Sequence, residues 1–225
     1  MKFVRYNKQG MSERLATGGA VVDGTLNSEK ILDVARDQVR RFGEAKTNVV
    51  DIARALGTSH TTIYRHFRSK AEVFDALVAA AMLDEEELAR TYVDSEGSAY
   101  QRLESFVLAL HRRKLERFTK DPEVYKLYRR VLDERLDLIH DYAARMTKLV
   151  AMILADGVRK KEYKIDDIEA AAEVVRDAVT VYVHPAHVEA AAKAGHPLEP
   201  AIKRMISTLN TAFRSGFSIA PGKRA

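Results

Sequence analysis

The chain has 225 residues, 46% of them hydrophobic and 8% aromatic, enough to bury a sizeable core as one large domain or two modest ones. With no cysteine, disulfides, thiolate catalysis and cysteine-based metal or redox sensing are excluded, and no apolar run approaches the roughly 20 residues that span a bilayer. The net charge of +5 is uneven: residues 1–70 hold 13 Lys+Arg against 7 Asp+Glu, a net +6, whereas residues 71–225 hold 24 against 25, a net −1. Such asymmetry suits a part that meets a polyanion, joined to a part that does not.

Residues 1–26 contain Gly10, Gly18, Gly19 and Gly24, no sustained periodicity and no apolar signal core, and read as a disordered extension of a cytoplasmic protein. Met11 offers an alternative start. Lys2, Arg5, Lys8 and Arg14 would suit a DNA-touching arm, although a floppy terminus is the simpler reading. A first helix starts near Ser28, with Ile31, Val34, Ala35, Val39 and Phe42 on one face and Gly43 as its stop. A second starts at Thr47, buries Val50, Ile52, Ala53 and Leu56, and stops at Gly57. A short third runs over Ser59–His66, anchored by Ile63 and Phe67. The fourth opens on a Ser69–Glu72 capping box and runs into the acidic stretch Asp84–Glu87.

Beyond a loop at Asp94–Gly97, Ser98 and Gln101 form another capping box, followed by the stripe Leu103, Phe106, Val107, Leu110. Asp121-Pro122-Glu123 starts a further helix, with proline at the first position and an acid at the positive dipole end. Ile139, Tyr142, Met146, Leu149, Val150 and Ile153 keep helical spacing up to Arg159-Lys160-Lys161. A helix from Asp166–Glu169 carries Ile168, Ala172, Val175, Val179 and Tyr182 and is disrupted at Pro185. The last follows Pro200, with Ile202, Met205, Ile206, Leu209, Ala212 and Phe213 in register. The sum is about nine helices, no strand and no internal repeat: an all-α protein.

The stretch Thr47–Lys70 reads TNVVDIARALGTSHTTIYRHFRSK. Two short helices meet at Leu56-Gly57-Thr58-Ser59, where Gly57 can take the left-handed conformation and Ser59 or Thr58 can cap the second helix. This is helix-turn-helix geometry, which lays the second helix in the major groove. His60, Thr61, Thr62, Tyr64 and His66 would face the bases. Threonine methyls suit thymine methyls, and histidine or arginine can donate to purine acceptors.

Order and spacing of Thr47, Ile52-Ala53, Gly57, Ser59, Thr62-Ile63-Tyr64, His66-Phe67 and Ser69-Lys70 resemble the DNA-binding domain of TetR-type transcriptional regulators. With the first helix the resemblance covers about 28–75. Two departures stand out: Thr61 where the family often has glycine and Thr58 where it often has valine. Thr61 should alter which bases are read, so no operator is transferable from a relative. The resemblance implies phosphate contacts from Thr47, Tyr64 and Lys70, helped by the first amides of the fourth helix. The expected DNA-binding set is therefore Thr47, Ser59, His60, Thr61, Thr62, Tyr64, His66 and Lys70.

The resemblance further implies a three-helix DNA-binding domain over 27–72 and a larger helical effector-binding and dimerisation domain over 73–225. The last two helices, about 166–184 and 199–215, would pair a homodimer on a two-fold symmetric double-stranded operator, with Ala171, Ala172 and Ala178 allowing close approach; an intramolecular core fits their periodicity equally well. Phe106, Leu110, His111, Tyr125, Tyr128, Tyr142 and Met146 are candidates to line a small-molecule effector pocket, and each also fits a plain core role. No cofactor and no membrane are expected. His184, His187 and His196 invite a metal reading, but Pro185 argues for a loop and surface histidines.

The function implied is a ligand-responsive repressor without chemistry of its own. An activator or ligand-independent regulator fits the DNA-binding part equally well. An enzyme is disfavoured: there is no Gly-rich phosphate loop, nucleophile elbow or His-Glu-x-x-His, and Asp84–Glu87 reads as a solvated helix face. A helical protein-binding adaptor would not need positive charge confined to residues 1–70.

Overall fold

A computed structural model describes residues 26–218, so the expected extension and its basic arm lie outside the described residues apart from Leu26. Among these residues there are ten α-helices, and the only β-type pairing is an isolated parallel bridge between Ile165 and Phe217. The chain divides into two compact units, one ending at Ala79 and one beginning at Ala80.

In the first unit α1 (Ser28–Phe42) is capped by Asn27, whose side chain accepts from the Lys30 amide at 2.9 Å. Gly43, at φ 77°, ends it. Helices α2 (Val49–Ala55) and α3 (His60–His66) follow, then the first turns of α4 (Lys70–Val93). Ile31, Leu32, Ala35 and Val39 of α1 are buried, as are Val49, Ile52 and Ala53 of α2, Ile63 of α3, Phe67, and Val73, Phe74 and Leu77 of α4.

Two expected core residues are instead exposed. Val50 is 50% exposed, because α2 starts at Val49 and its inward stripe of Val49, Ile52 and Ala53 leaves Val50 about 100° off the buried face. Phe42, 54% exposed, is the last residue of α1 and lines an open cleft of about 420 Å³ with Gln38, Lys46, Asp51, Arg54 and Ala55.

The second unit holds the rest of α4 and α5 (Ala99–Lys120), α6 (Pro122–Glu134), α7 (Leu136–Arg159), α8 (Ile168–Val183), α9 (Pro185–Lys193) and α10 (Glu199–Ser215). Ser98 and Gln101 form the expected reciprocal capping box, Pro122 sits in the first turn of α6, and Asp167 caps α8 by accepting from the Ala170 amide. α5 packs against α6, α7, α8, α9 and α10, and α7 packs on α8. One apolar cluster joins Leu103, Phe106 and Leu110 to Leu149, Ile153, Val175, Ile206 and Phe213.

The tenth helix is α9, where a loop was expected. Proline at the first helical position loses no hydrogen bond, and the His184 ring caps the turn by accepting from the Ala186 amide at 3.3 Å. Pro185 therefore starts a helix as well as ending one. Ala171 and Ala172, expected to ease contact with a second copy, are fully buried in this chain's own core.

Candidate nucleic-acid interface and effector core

The turn between α2 and α3 is built by the backbone. The Thr58 amide donates to the Ala53 carbonyl at 3.0 Å and the Gly57 amide to Arg54 at 3.1 Å, with Gly57 at φ 65°. This paired closure satisfies the end of α2 and needs a residue that tolerates left-handed backbone. Ser59 then caps α3, accepting from the Thr62 amide at 3.2 Å, while its hydroxyl also lies 2.9 Å from the Thr62 hydroxyl.

Ile63 (0% exposed) and Phe67 fix the rotation of α3. Side chains at i, i+1, i+4 and i+5 then share the opposite face, which places His60, Thr61, Tyr64 and Arg65 outward together. Tyr64 is 48% exposed, and its ring meets His60 edge-on at 6.2 Å. Arg65 and Arg68 are exposed cations that the sequence reading did not select. Arg65 was findable four residues beyond Thr61 on the same face.

Thr47 and His66 do not present free polar groups. Thr47 is 1% exposed and donates its hydroxyl to the Gly43 carbonyl at 2.8 Å, stitching the end of α1 to the approach of α2. His66 is half-buried with Nδ1 3.2 Å from the Ser28 hydroxyl on α1, and burial pushes its pKa below the ordinary histidine value. Lys70 is half-exposed, its ammonium 5.4 Å from the Phe74 ring centre. At the start of α4, Ser69 accepts from the Glu72 amide at 3.1 Å. The Glu72 carboxylate accepts from the Arg68 amide at 2.5 Å, one residue earlier than the expected box.

The second unit buries a set of polar groups. Glu85 is fully buried, which corrects the reading of Asp84–Glu87 as a solvated face. Its carboxylate accepts from the Lys114 ammonium, from Arg117 at 2.7 Å and from the Tyr142 hydroxyl at 2.8 Å. Lys114 also donates to the Tyr128 hydroxyl at 2.8 Å and lies 5.0 and 5.3 Å from the Tyr128 and Tyr142 ring centres. Burial alone pushes the Glu85 pKa up, but Lys114, Arg117 and the hydrogen bonds outweigh it and hold it below the usual glutamate value. Burial and the Glu85 charge push Tyr142 well above the usual phenol value, so it remains a neutral donor. Beside this network, Glu86 accepts from Arg145 at 2.7 Å.

The expected pocket residues divide. Tyr128 and Tyr142 meet around Lys114 and Glu85. His111 turns Nδ1 to the Tyr182 carbonyl at 2.9 Å, and Tyr125 donates to the Pro185 carbonyl at 2.8 Å and to Glu189 at 3.0 Å. Phe106, Leu110 and Met146 lie in the apolar cluster. The sequence reading missed Glu85 and Lys114, although both interrupt apolar stripes: Val78–Met82–Glu85–Ala89 and Leu103–Phe106–Leu110–Lys114. Among the described residues no group of three or more His, Cys, Asp or Glu is placed to hold a metal ion, and no helix is long and apolar enough to cross a membrane.

Comparison with known proteins matches this architecture part by part. Residues 31–77 fit the family described as bacterial regulatory proteins, tetR family, and residues 99–200 fit the tetracyclin repressor-like C-terminal domain. The chain is 26% identical over 167 residues to the HTH-type transcriptional repressor KstR2 of Mycobacterium tuberculosis, covering 72% of this chain and 83% of that protein. Among solved structures, FadR of Bacillus subtilis in complex with stearoyl-CoA shares its fold at TM-score 0.53 and 15% identity, over 85% of this chain and 100% of the other. A Saccharomonospora viridis protein in complex with choline does so at TM-score 0.55 and 20% identity, over 82% and 94%. Two matched family regions, one on the helix-turn-helix and one on the helical unit behind it, establish that the chain belongs to the TetR family and is a DNA-binding transcriptional regulator.

Proposed function

We propose that the protein is a homodimeric repressor that binds a two-fold symmetric operator through α3 and leaves it when a small-molecule effector occupies the second unit. The observation that carries this reading is the outward face of α3, where His60, Thr61, Tyr64 and Arg65 stand together opposite Ile63 and Phe67. His60, Thr61 and Arg65 read base edges, with Thr62 alongside; Tyr64 and Lys70 hold phosphates. Ser59 acts by capping α3, and Thr47 and His66 by fixing its position. Catalysis plays no part.

Dimerisation uses rows that one chain leaves exposed or only partly covered: Val174, Ala178 and the 44% exposed Val181 on α8, and Ala201, Met205, Thr208 and Ala212 on α10. The effector acts in the second unit, where Tyr128 and Tyr142 ring the Glu85–Lys114 pair. It shifts the population toward a dimer whose recognition helices no longer match half-sites about one helical turn apart. FadR with stearoyl-CoA and the choline-bound protein support a small-molecule effector without identifying this one.

The test is protection of DNA upstream of the protein's own gene, against shuffled DNA of equal length at physiological salt. Wild type should protect a two-fold symmetric site, and a His60→Ala, Tyr64→Ala double variant should lose it with its melting temperature unchanged. Equal weak binding of wild type to both DNAs would remove the own-gene operator from this reading.

A further inference from the structure

Within the second unit, the start of α5, the segment after α7 and the last turns of α10 enclose a cleft of about 380 Å³, separate from the Glu85 network in its lining. Tyr100, Lys161, Tyr163, Lys164, Asn210 and Arg214 face it. Lys161, Lys164 and Arg214 are exposed and make no ion pair among the described residues. The one acid in the lining, Glu162, is occupied: it accepts from the Ala99 amide at 2.6 Å. The nearby Asp156 is already shared by Arg102, Arg159 and Lys160. The lining therefore carries three cations against one carboxylate, a net charge of 3 − 1 = +2.

The cleft is also held in shape. A side chain at Gly157 would lie 2.6 Å from Tyr163 Cδ2 and 2.8 Å from Ala99 Cβ, so glycine there lets Tyr163 seat against α5 and α7. The Tyr163 ring meets Phe213 edge-on at 5.5 Å, and its hydroxyl donates to Asn210 Oδ1 at 3.3 Å. With that oxygen engaged, the Asn210 amide nitrogen remains a donor at the cleft. Lys161 closes α7 at φ 62°, a left-handed position that favours glycine, yet the chain keeps a charged side chain there.

We propose that this cleft binds a phosphate-bearing small molecule of about mononucleotide size. Lys161, Lys164 and Arg214 hold its phosphate, Asn210 donates a hydrogen bond, and its ring lies against Tyr100. Charge-assisted contacts from several cations to one phosphate supply the affinity, and the aromatic wall favours a ring-bearing phosphomonoester over the free anion. This inference does not depend on the repressor reading, because every residue in it lies outside the helix-turn-helix.

The experiment titrates the full-length protein calorimetrically with AMP, ATP, adenosine and inorganic phosphate at physiological salt. AMP and ATP should bind saturably, with adenosine and inorganic phosphate each at least about tenfold weaker. A Lys164→Gln, Arg214→Gln pair should weaken AMP by about tenfold or more, with the helical circular dichroism signal unchanged. As a readout that needs no variant, AMP should slow acylation of Lys161 and Lys164 in the wild-type protein, followed by mass spectrometry. No binding of AMP or ATP, adenosine or phosphate binding as tightly as AMP, full AMP affinity in a folded paired variant, or unprotected lysines would each overturn the proposal.

Discussion

The two units of this protein place their polar chemistry on opposite sides of their surfaces. In the first, the core is apolar and His60, Thr61, Tyr64 and Arg65 of α3 point outward, with Thr47 the one buried polar residue among the described residues, satisfied by a backbone carbonyl. In the second, Glu85, Arg102, His111, Lys114 and Asp156 are buried and hydrogen-bonded to one another or to the backbone. A surface that reads DNA must keep its donors wet until the partner arrives. A helical unit that responds to a small molecule can hold charges inside, where an imbalance is strongly felt.

The sharpest way to break this contrast is to remove Glu85. Glu85→Ala leaves the buried Lys114 and the partly buried Arg117 without their carboxylate and should cost about 3–5 kcal/mol in urea unfolding. A loss below about 1 kcal/mol would mean that the network is solvated after all. The same pair predicts an acid limb. Because the Glu85 pKa is lowered on folding, its stabilisation is complete above the unfolded value near 4.5 and fades as pH falls through the lower folded value. Glu85→Gln should flatten that limb.

Charging these partly covered rows comes next. A Val181→Glu, Met205→Glu variant should sediment as a monomer at concentrations where wild type is dimeric, and should bind operator DNA at least about tenfold more weakly, since two half-sites bind one dimer. A dimer that survives places the interface elsewhere. On α3, Arg65→Ala should cost about 1–3 kcal/mol of operator binding and relax the choice of one base pair. If the loss is equal on all sequences, Arg65 holds a phosphate instead. The smallest effect should come from Ser59→Ala, about 1 kcal/mol of stability from a lost helix cap, read as a small drop in melting temperature.

The first unit was legible because its signals are local. The Gly57 turn, the Ser59 cap and the Ile63 and Phe67 anchors each depend on residues within a few positions, and the structure forms each of them. Where sequence reading slipped there, at Phe42, Val50 and the inward turn of Thr47, the outcome depended on where one helix starts or which neighbour covers it. Pro185 shows the limit of a local rule: proline ends a helix and can equally begin one, and only the His184 cap decides.

By itself the sequence determined the all-α class, most helix limits and the helix-turn-helix, because hydrophobic period, caps and left-handed glycines act over one or two turns. Only the tertiary structure decided that Glu85 pairs with Lys114 across 29 residues, that Tyr128 and Tyr142 surround that pair while His111 and Tyr125 go elsewhere, and that Lys161, Lys164 and Arg214 share one cleft. The physical reason is that a charge on an apolar stripe is costly alone and tolerable when paired. Its partner comes from another helix, and helix periodicity carries no information about which one.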